Sequence, residues 1–155
     1  MAASAPLLDI IDLAAHFRVY GGVLKVLDGV NFRVNTGEKV GLVGETGCGK
    51  TTTMKAILRI LPVPPAVIPH GEIRFKGADI LKMKPDRLGK VRGRGISMIF
   101  QDPTAALNPV FTVGQQMEPV IQYTSPEGRR LSRRQIHEKA LIPLQEVGLA
   151  DPERV

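Results

Sequence analysis

The chain has 155 residues, 43% of them hydrophobic and 23% charged, which suits one globular domain with a sizeable core and excludes a low-complexity chain. No window approaches the roughly 18 consecutive apolar residues of a membrane span, and "MAASAPLLDIIDLAAHF" is broken by Asp9 and Asp12, so neither direct membrane insertion nor a signal peptide is expected and the location reads as cytoplasmic. The net charge of +6 gathers in "KMKPDRLGKVRGR" (82–94) and "RRLSRR" (129–134), but neither cluster is interleaved with aromatics and no nucleic-acid-binding pattern accompanies them, so a solvated face or an acidic partner surface is expected rather than nucleic acid.

In chain order, "LLDIIDL" reads as a strand, and "VLDGVNFRVNTGEKVGLVG" continues in strands. Val30, Phe32 and Val34 alternate before the turn residues "NTG". "KVGLV" (39–43) is a short apolar run suited to a strand buried on both faces. A helix follows in "TTTMKAILRILP", with Met54, Ile57, Leu58 and Leu61 at helical spacing and Pro62 as its stop.

"GEIRFKG" is the next strand, with Ile73 and Phe75 on one face, and the run from Ile96 to Phe100 suits a buried strand ending at Gln101. "DPTAALNPVF" holds too many breakers for a regular element and reads as a loop. Thr112 with Gln115 opens a helix whose face is Val113, Met117, Val120 and Ile121. Ser132 with Gln135 opens another that closes at Gly148. Pro143 lies inside it, where proline costs about 3 kcal/mol in a continuous helix, so a kink or break is expected. Residues 1–102 are thus β-rich and residues 103–155 helical.

The stretch with the most chemistry is "GLVGETGCGKTTTM" (41–54). Gly44, Gly47 and Gly49 lack a Cβ and let the backbone turn its N–H groups inward or approach a ligand closely. Gly44, Gly49, Lys50 and Thr51 match G-x-x-x-x-G-K-[ST], the Walker A pattern. In that pattern the amides cradle phosphates, the lysine reaches the β- and γ-phosphates, and the hydroxyl takes Mg²⁺. A helix that starts at the loop adds its dipole and unpaired N–H groups to the same anion site. The pattern would arise by chance in about one chain in two hundred of this length, so the phosphate loop is the stronger reading. The single cysteine, Cys48, lies in this loop and excludes an intramolecular disulfide. It reads either as a thiol activated beside Lys50 or as a small residue that fits the turn.

Taken together, "GLVGETGCGKTTTMKAIL", "GEIRFKGADIL", "RGRGISMIFQDPTAALNPVFTVGQQM" and "LQEVGL" resemble the ATP-binding subunits of ABC transporters, most closely the oligopeptide, dipeptide and nickel uptake branch. The resemblance spans nearly the whole chain. It implies an α/β P-loop NTPase fold, with an ATP-binding core and antiparallel β subdomain over 1–102 and the start of a helical subdomain over 103–155. It implies ATP and Mg²⁺ as cofactors. Gly44, Glu45, Thr46, Gly47, Cys48, Gly49, Lys50, Thr51 and Thr52 would hold the nucleotide, and Lys50 and Gln101 would serve catalysis. Thr51 and Gln101 would bind the metal. Tyr20 would stack on adenine, with Phe17 the rival.

The same resemblance implies transmembrane permease subunits and a second ATP-binding subunit, homologous or identical, as partners, with the protein peripheral on the inner face of the cell membrane. In the family an LSGGQ-type signature, a strand ending in Asp–Glu and a switch histidine come later than "DPERV", so an N-terminal piece with an open sheet edge is expected, one that binds ATP without the residues that hydrolyse it. Two other readings compete. One is a non-catalytic nucleotide- or partner-binding module. The other is a different P-loop ATPase or kinase, for which "RRLSRR" is the only lid-like feature.

Overall fold

The computed structural model describes residues 5–102, 106–125 and 130–154; positions 103–105 of the expected loop and Arg129 of the second basic cluster lie outside the described residues. Residues 1–96 and 97–155 form two compact units.

In the first unit, β1 (Leu8–Val19) and β2 (Gly22–Val34) make a long antiparallel hairpin with Tyr20–Gly21 as its two-residue turn. Gly21 takes φ 86° there, a conformation that matches the twist of hairpin strands. β1 runs well past "LLDIIDL" because Leu13, Ala14 and Ala15 are fully buried, although alanine signals strand only weakly. It is the inner strand. β2 pairs along one side of it, while β3 (Ala66–Val67) and β4 (Glu72–Phe75) pair along the other, and β5 (Ala78–Asp79) pairs with the far side of β4, all antiparallel.

Leu8 pairs with both Val34 and Phe75, and Ile10 with both Phe32 and Ile73, which carries the core across the sheet. The β1–β2 register slips between Ile10 and Leu13, where Asp12 has φ 47°. A bulge leaves a backbone donor without a ladder partner. Here Asn31 Oδ1 accepts from the Asp12 amide at 2.8 Å, and Asn31 Nδ2 donates to Gly29 O at 2.8 Å.

Ile73 and Phe75 are buried with Arg74 exposed between them, and Val30, Phe32 and Val34 are half-buried with Asn31 and Arg33 exposed between them, so both expected alternations hold. Ile73, Phe75, Val30 and Phe32 join Ile10, Leu13, Leu27 and Ile57 in one core.

The helix after the glycines is α1 (Lys50–Ile57). It ends before Leu61, although Leu61 still reaches the core. The Arg59 amide donates to Ala56 O and the Ile60 amide to Lys55 O, both at 2.9 Å, with Arg59 at φ 51°. That is a Schellman stop with arginine where glycine is usual. A 3-10 turn (Ile80–Lys82) capped by Asp79 leads to α2 (Pro85–Val91). A hydrogen bond and charge from Asp79, with Glu72 beside it, hold the exposed Lys82 ammonium above its ordinary range.

Two expected strands do not form. Residues 39–43 and 97–100 have no ladder partner among the described residues, and Ile96 has only an isolated parallel bridge to Arg92. A strand exists only as a member of a ladder. Their side chains therefore face solvent: Val43 is 94% exposed and Ile99 93%.

The second unit contains α3 (Val113–Thr124) and α4 (Arg133–Glu146). Both capping boxes form: the Gln115 amide donates to Thr112 Oγ1 at 3.2 Å and the Gln135 amide to Ser132 Oγ at 3.3 Å, with each glutamine returning an acceptor. On α4, Ile136, Ala140 and Leu144 form the buried stripe. Val113, Met117 and Ile121 are half-buried as expected, whereas Val120 is exposed. Pro143 does not break α4: the helix continues through it at the loss of one backbone donor, and its own carbonyl still accepts from the Val147 amide at 3.1 Å. Gly148 at φ 77° closes the helix as expected. No helix among the described residues is long and apolar enough to cross a membrane.

Candidate functional site

The site is built on the turn between residue 44 and the first turn of α1. Gly49 is the N-cap of α1 at φ 93°, and a Cβ on it would lie 2.7 Å from Leu27 Cδ2 and 3.1 Å from Val26 O. Only glycine fits both the dihedral and the space. The loop is thereby seated on β2. A Cβ on Gly44 would lie 2.7 Å from Cys48 Sγ, so that glycine leaves room for the thiol.

Lys50 folds back over this turn. Its ammonium donates to Gly44 O at 2.5 Å and Glu45 O at 2.6 Å, and lies 3.4 Å from Cys48 Sγ. Two of its three donors are thus committed to the loop's own carbonyls, which fixes the positive charge at the loop mouth. The Cys48 amide donates to Glu45 O at 3.3 Å and closes the turn.

The first helix amides, at Lys50, Thr51 and Thr52, have no acceptor within the helix by geometry. They point with the positive end of the dipole toward the loop. Thr51 is exposed at the helix start, where its hydroxyl meets solvent. Such an arrangement of one fixed cation, free amides and an exposed hydroxyl can hold a phosphate chain with its cation.

Glu45, Thr46, Gly47 and Cys48 line the exposed outer side of the loop, and Thr52 is half-buried behind it. Sequence reasoning missed two supports. Thr53 is buried, and its Oγ1 donates to Gly49 O at 3.0 Å. Leu27 packs under Gly49 from β2. A third threonine facing the apolar side of the helix was the only available signal for the first, and nothing local could signal the second.

Tyr20 stands at the tip of the β1–β2 hairpin and is fully exposed, whereas Phe17 is half-buried against the core. Gln101 is exposed at a bend in the second unit. Among the described residues no group of three or more His, Cys, Asp and Glu could hold a metal ion by itself.

Comparison with known proteins supplies the setting. Residues 27–154 match the family model described as ABC transporter. A Sinorhizobium fredii protein designated "probable peptide ABC transporter ATP-binding protein" is 47% identical over 96% of this chain and 43% of its own length. The oligopeptide transport ATP-binding protein of Bacillus subtilis is 38% identical over 96% of this chain and 40% of its own length, and the dipeptide transport ATP-binding protein of the same organism is 37% identical over 94% and 42%. The chain therefore spans about two fifths of the length of these relatives. A solved dimeric structure of a bacterial ABC transporter cassette superposes with a TM-score of 0.76 at 21% identity, covering 93% of this chain and 58% of that one. A related cassette structure, bound to ADP and Pi, gives 0.73 at 20% over the same shares. The fold is that of an ABC ATPase cassette.

Proposed function

The chain belongs to the ABC transporter family, and from that membership we propose that it is the ATP-binding part of a peptide or nickel importer. Residues 44–52 bind the phosphates of MgATP, the loop amides and Lys50 neutralising their charge. Thr51 and Gln101 hold Mg²⁺, which when bound supplies further neutralisation of the phosphate oxygens. Lys50 and Gln101 are the catalytic pair. Tyr20 stacks on adenine, a role supported by its full exposure against the half-buried, core-packed setting of Phe17.

The observation that carries the proposal is the Lys50 ammonium fixed over the carbonyls of Gly44 and Glu45 at the start of α1. Residues 1–102 form the nucleotide core and 103–155 the start of the helical part. Partners are permease subunits and a second ATP-binding subunit, homologous or identical, at the inner face of the membrane. Residues 44–52 supply phosphate binding and charge neutralisation, and on this reading the chain binds ATP without turning it over. Against the kinase reading, Ser132 in "RRLSRR" caps α4 and Arg134 pairs with Glu138 at 2.9 Å.

The test is a titration of fluorescent ATP with Mg²⁺ into the wild type, Lys50→Ala and Tyr20→Ala, with phosphate release followed in the same samples. We expect wild-type binding, its loss in Lys50→Ala, weaker binding in Tyr20→Ala, and no sustained release. Equal binding by Lys50→Ala, or steady turnover by the wild type, would overturn the reading.

A further inference from the structure

The helix that presents Lys50 and Thr51 is held from its far end by two arginines. Arg59 occupies the left-handed stop of α1, the place that Gly148 takes at the end of α4. For a residue with a Cβ that conformation costs about 1–2 kcal/mol. The arginine's Nη1 donates to Met83 O at 2.8 Å and to Ile80 O at 3.3 Å, the two ends of the 3-10 turn. Arg92, the C-cap of α2, answers from the other side: its Nε donates to Leu58 O at 2.8 Å and its Nη2 to Arg59 O at 2.7 Å.

A helix C-terminus leaves its last carbonyls without donors, and here one guanidinium fork takes two successive carbonyls just past the last turn. The same cation meets the negative end of the helix dipole. The segment that carries Arg92 is itself anchored. The Gly95 and Ile96 amides both donate to Val91 O, at 2.8 and 2.9 Å, and the Gly93 amide donates to Ile96 O at 2.9 Å. A Cβ on Gly95 would lie 2.9 Å from the Phe75 ring, so this turn is packed on β4.

We propose that Arg59 and Arg92 are positioning residues: together they brace the C-terminal end of α1 against the sheet and so fix where its N-terminal end presents Lys50 and Thr51. The inference rests on the reading of residues 44–52 as a phosphate site. α1 has eight residues, about 12 Å of rise, with no internal glycine or proline to absorb a shift. A displaced C-terminus therefore displaces the N-terminus.

Arg59→Gly is the informative variant, since it relaxes the left-handed residue while removing the bonds to Ile80 and Met83. Arg92→Ala removes the fork, Arg92→Lys keeps a charge without it, and Lys90→Ala removes a charge from the same helix as a control. Two readouts are paired: the affinity for fluorescent MgATP, and amide hydrogen exchange over residues 50–60.

We expect Arg59→Gly and Arg92→Ala to bind MgATP about tenfold more weakly, the loss of two charge-assisted bonds in a partly exposed setting. Exchange at residues 53–57, whose amides are bonded along α1, should rise in both. Arg59→Gly should do this with an undiminished melting temperature, which a merely structural role would not produce. Methylguanidinium should restore part of the Arg92→Ala affinity, Arg92→Lys should fall between, and Lys90→Ala should match wild type. Wild-type affinity and exchange in Arg59→Gly and Arg92→Ala, or an equal loss in Lys90→Ala, would overturn the brace. Failure of the wild type to bind nucleotide would instead defeat the phosphate-site reading, and exchange at residues 53–57 would still decide the brace.

Discussion

At Gly49 two constraints meet that have different origins. The φ of 93° is a dihedral demand, and the 2.7 Å approach to Leu27 Cδ2 is a packing demand. Ala at this position should therefore cost more than the about 1–2 kcal/mol of the left-handed backbone alone. Denaturant unfolding of Gly49→Ala should show a loss of about 2 kcal/mol or more, and an unchanged midpoint would mean that the loop is not seated on β2. The glycines, Lys50 and Thr51 were legible in the sequence because a dihedral or charge requirement is written at the residue itself. Leu27 was not, because its contact with Gly49 joins positions far apart in the chain. Arg59 was hidden for another reason: nothing in the sequence marks an arginine that sits where glycine is expected.

Among the elements, the helix starts marked by capping boxes were read correctly, whereas two apolar runs read as strands do not form. The boxes at Thr112–Gln115 and Ser132–Gln135 each lie within four residues, and both form. The runs at 39–43 and 96–100 have strand composition, but a strand needs a ladder, and apolar composition cannot report one. Pro143 shows that a helix held by packing can continue through a proline at the loss of one donor. It leaves α4 continuous, so Pro143→Ala should restore one backbone donor without changing the fold. We expect a gain of about 1–3 kcal/mol in α4, read as slower amide exchange over Leu141–Glu146. Exchange unchanged there would indicate that the proline already costs nothing.

For the molecule as a whole, a net charge of +6 coexists with exposed apolar runs that include Val40, Leu42, Val43, Ile99 and Phe100. Like charge keeps copies apart at low salt, but screening shortens its reach to about 3 Å at 1 M salt. Sedimentation should therefore show self-association that grows with salt, and Val43→Lys with Ile99→Lys should suppress it. Association that weakens with salt would point to charge pairing instead. The overall α/β class was legible from the phosphate loop and its flanks, while the inner place of β1 was not, since it depends on strands on both sides of it. That inner place also orders events in time. The β1–β2 hairpin can zip from its two-residue turn, but pairing Leu8 with Phe75 must close a loop that contains β2, the phosphate loop and all of α1. As the chain folds, we expect the hairpin to come before the β1–β4 ladder, because only the second has to close that long loop.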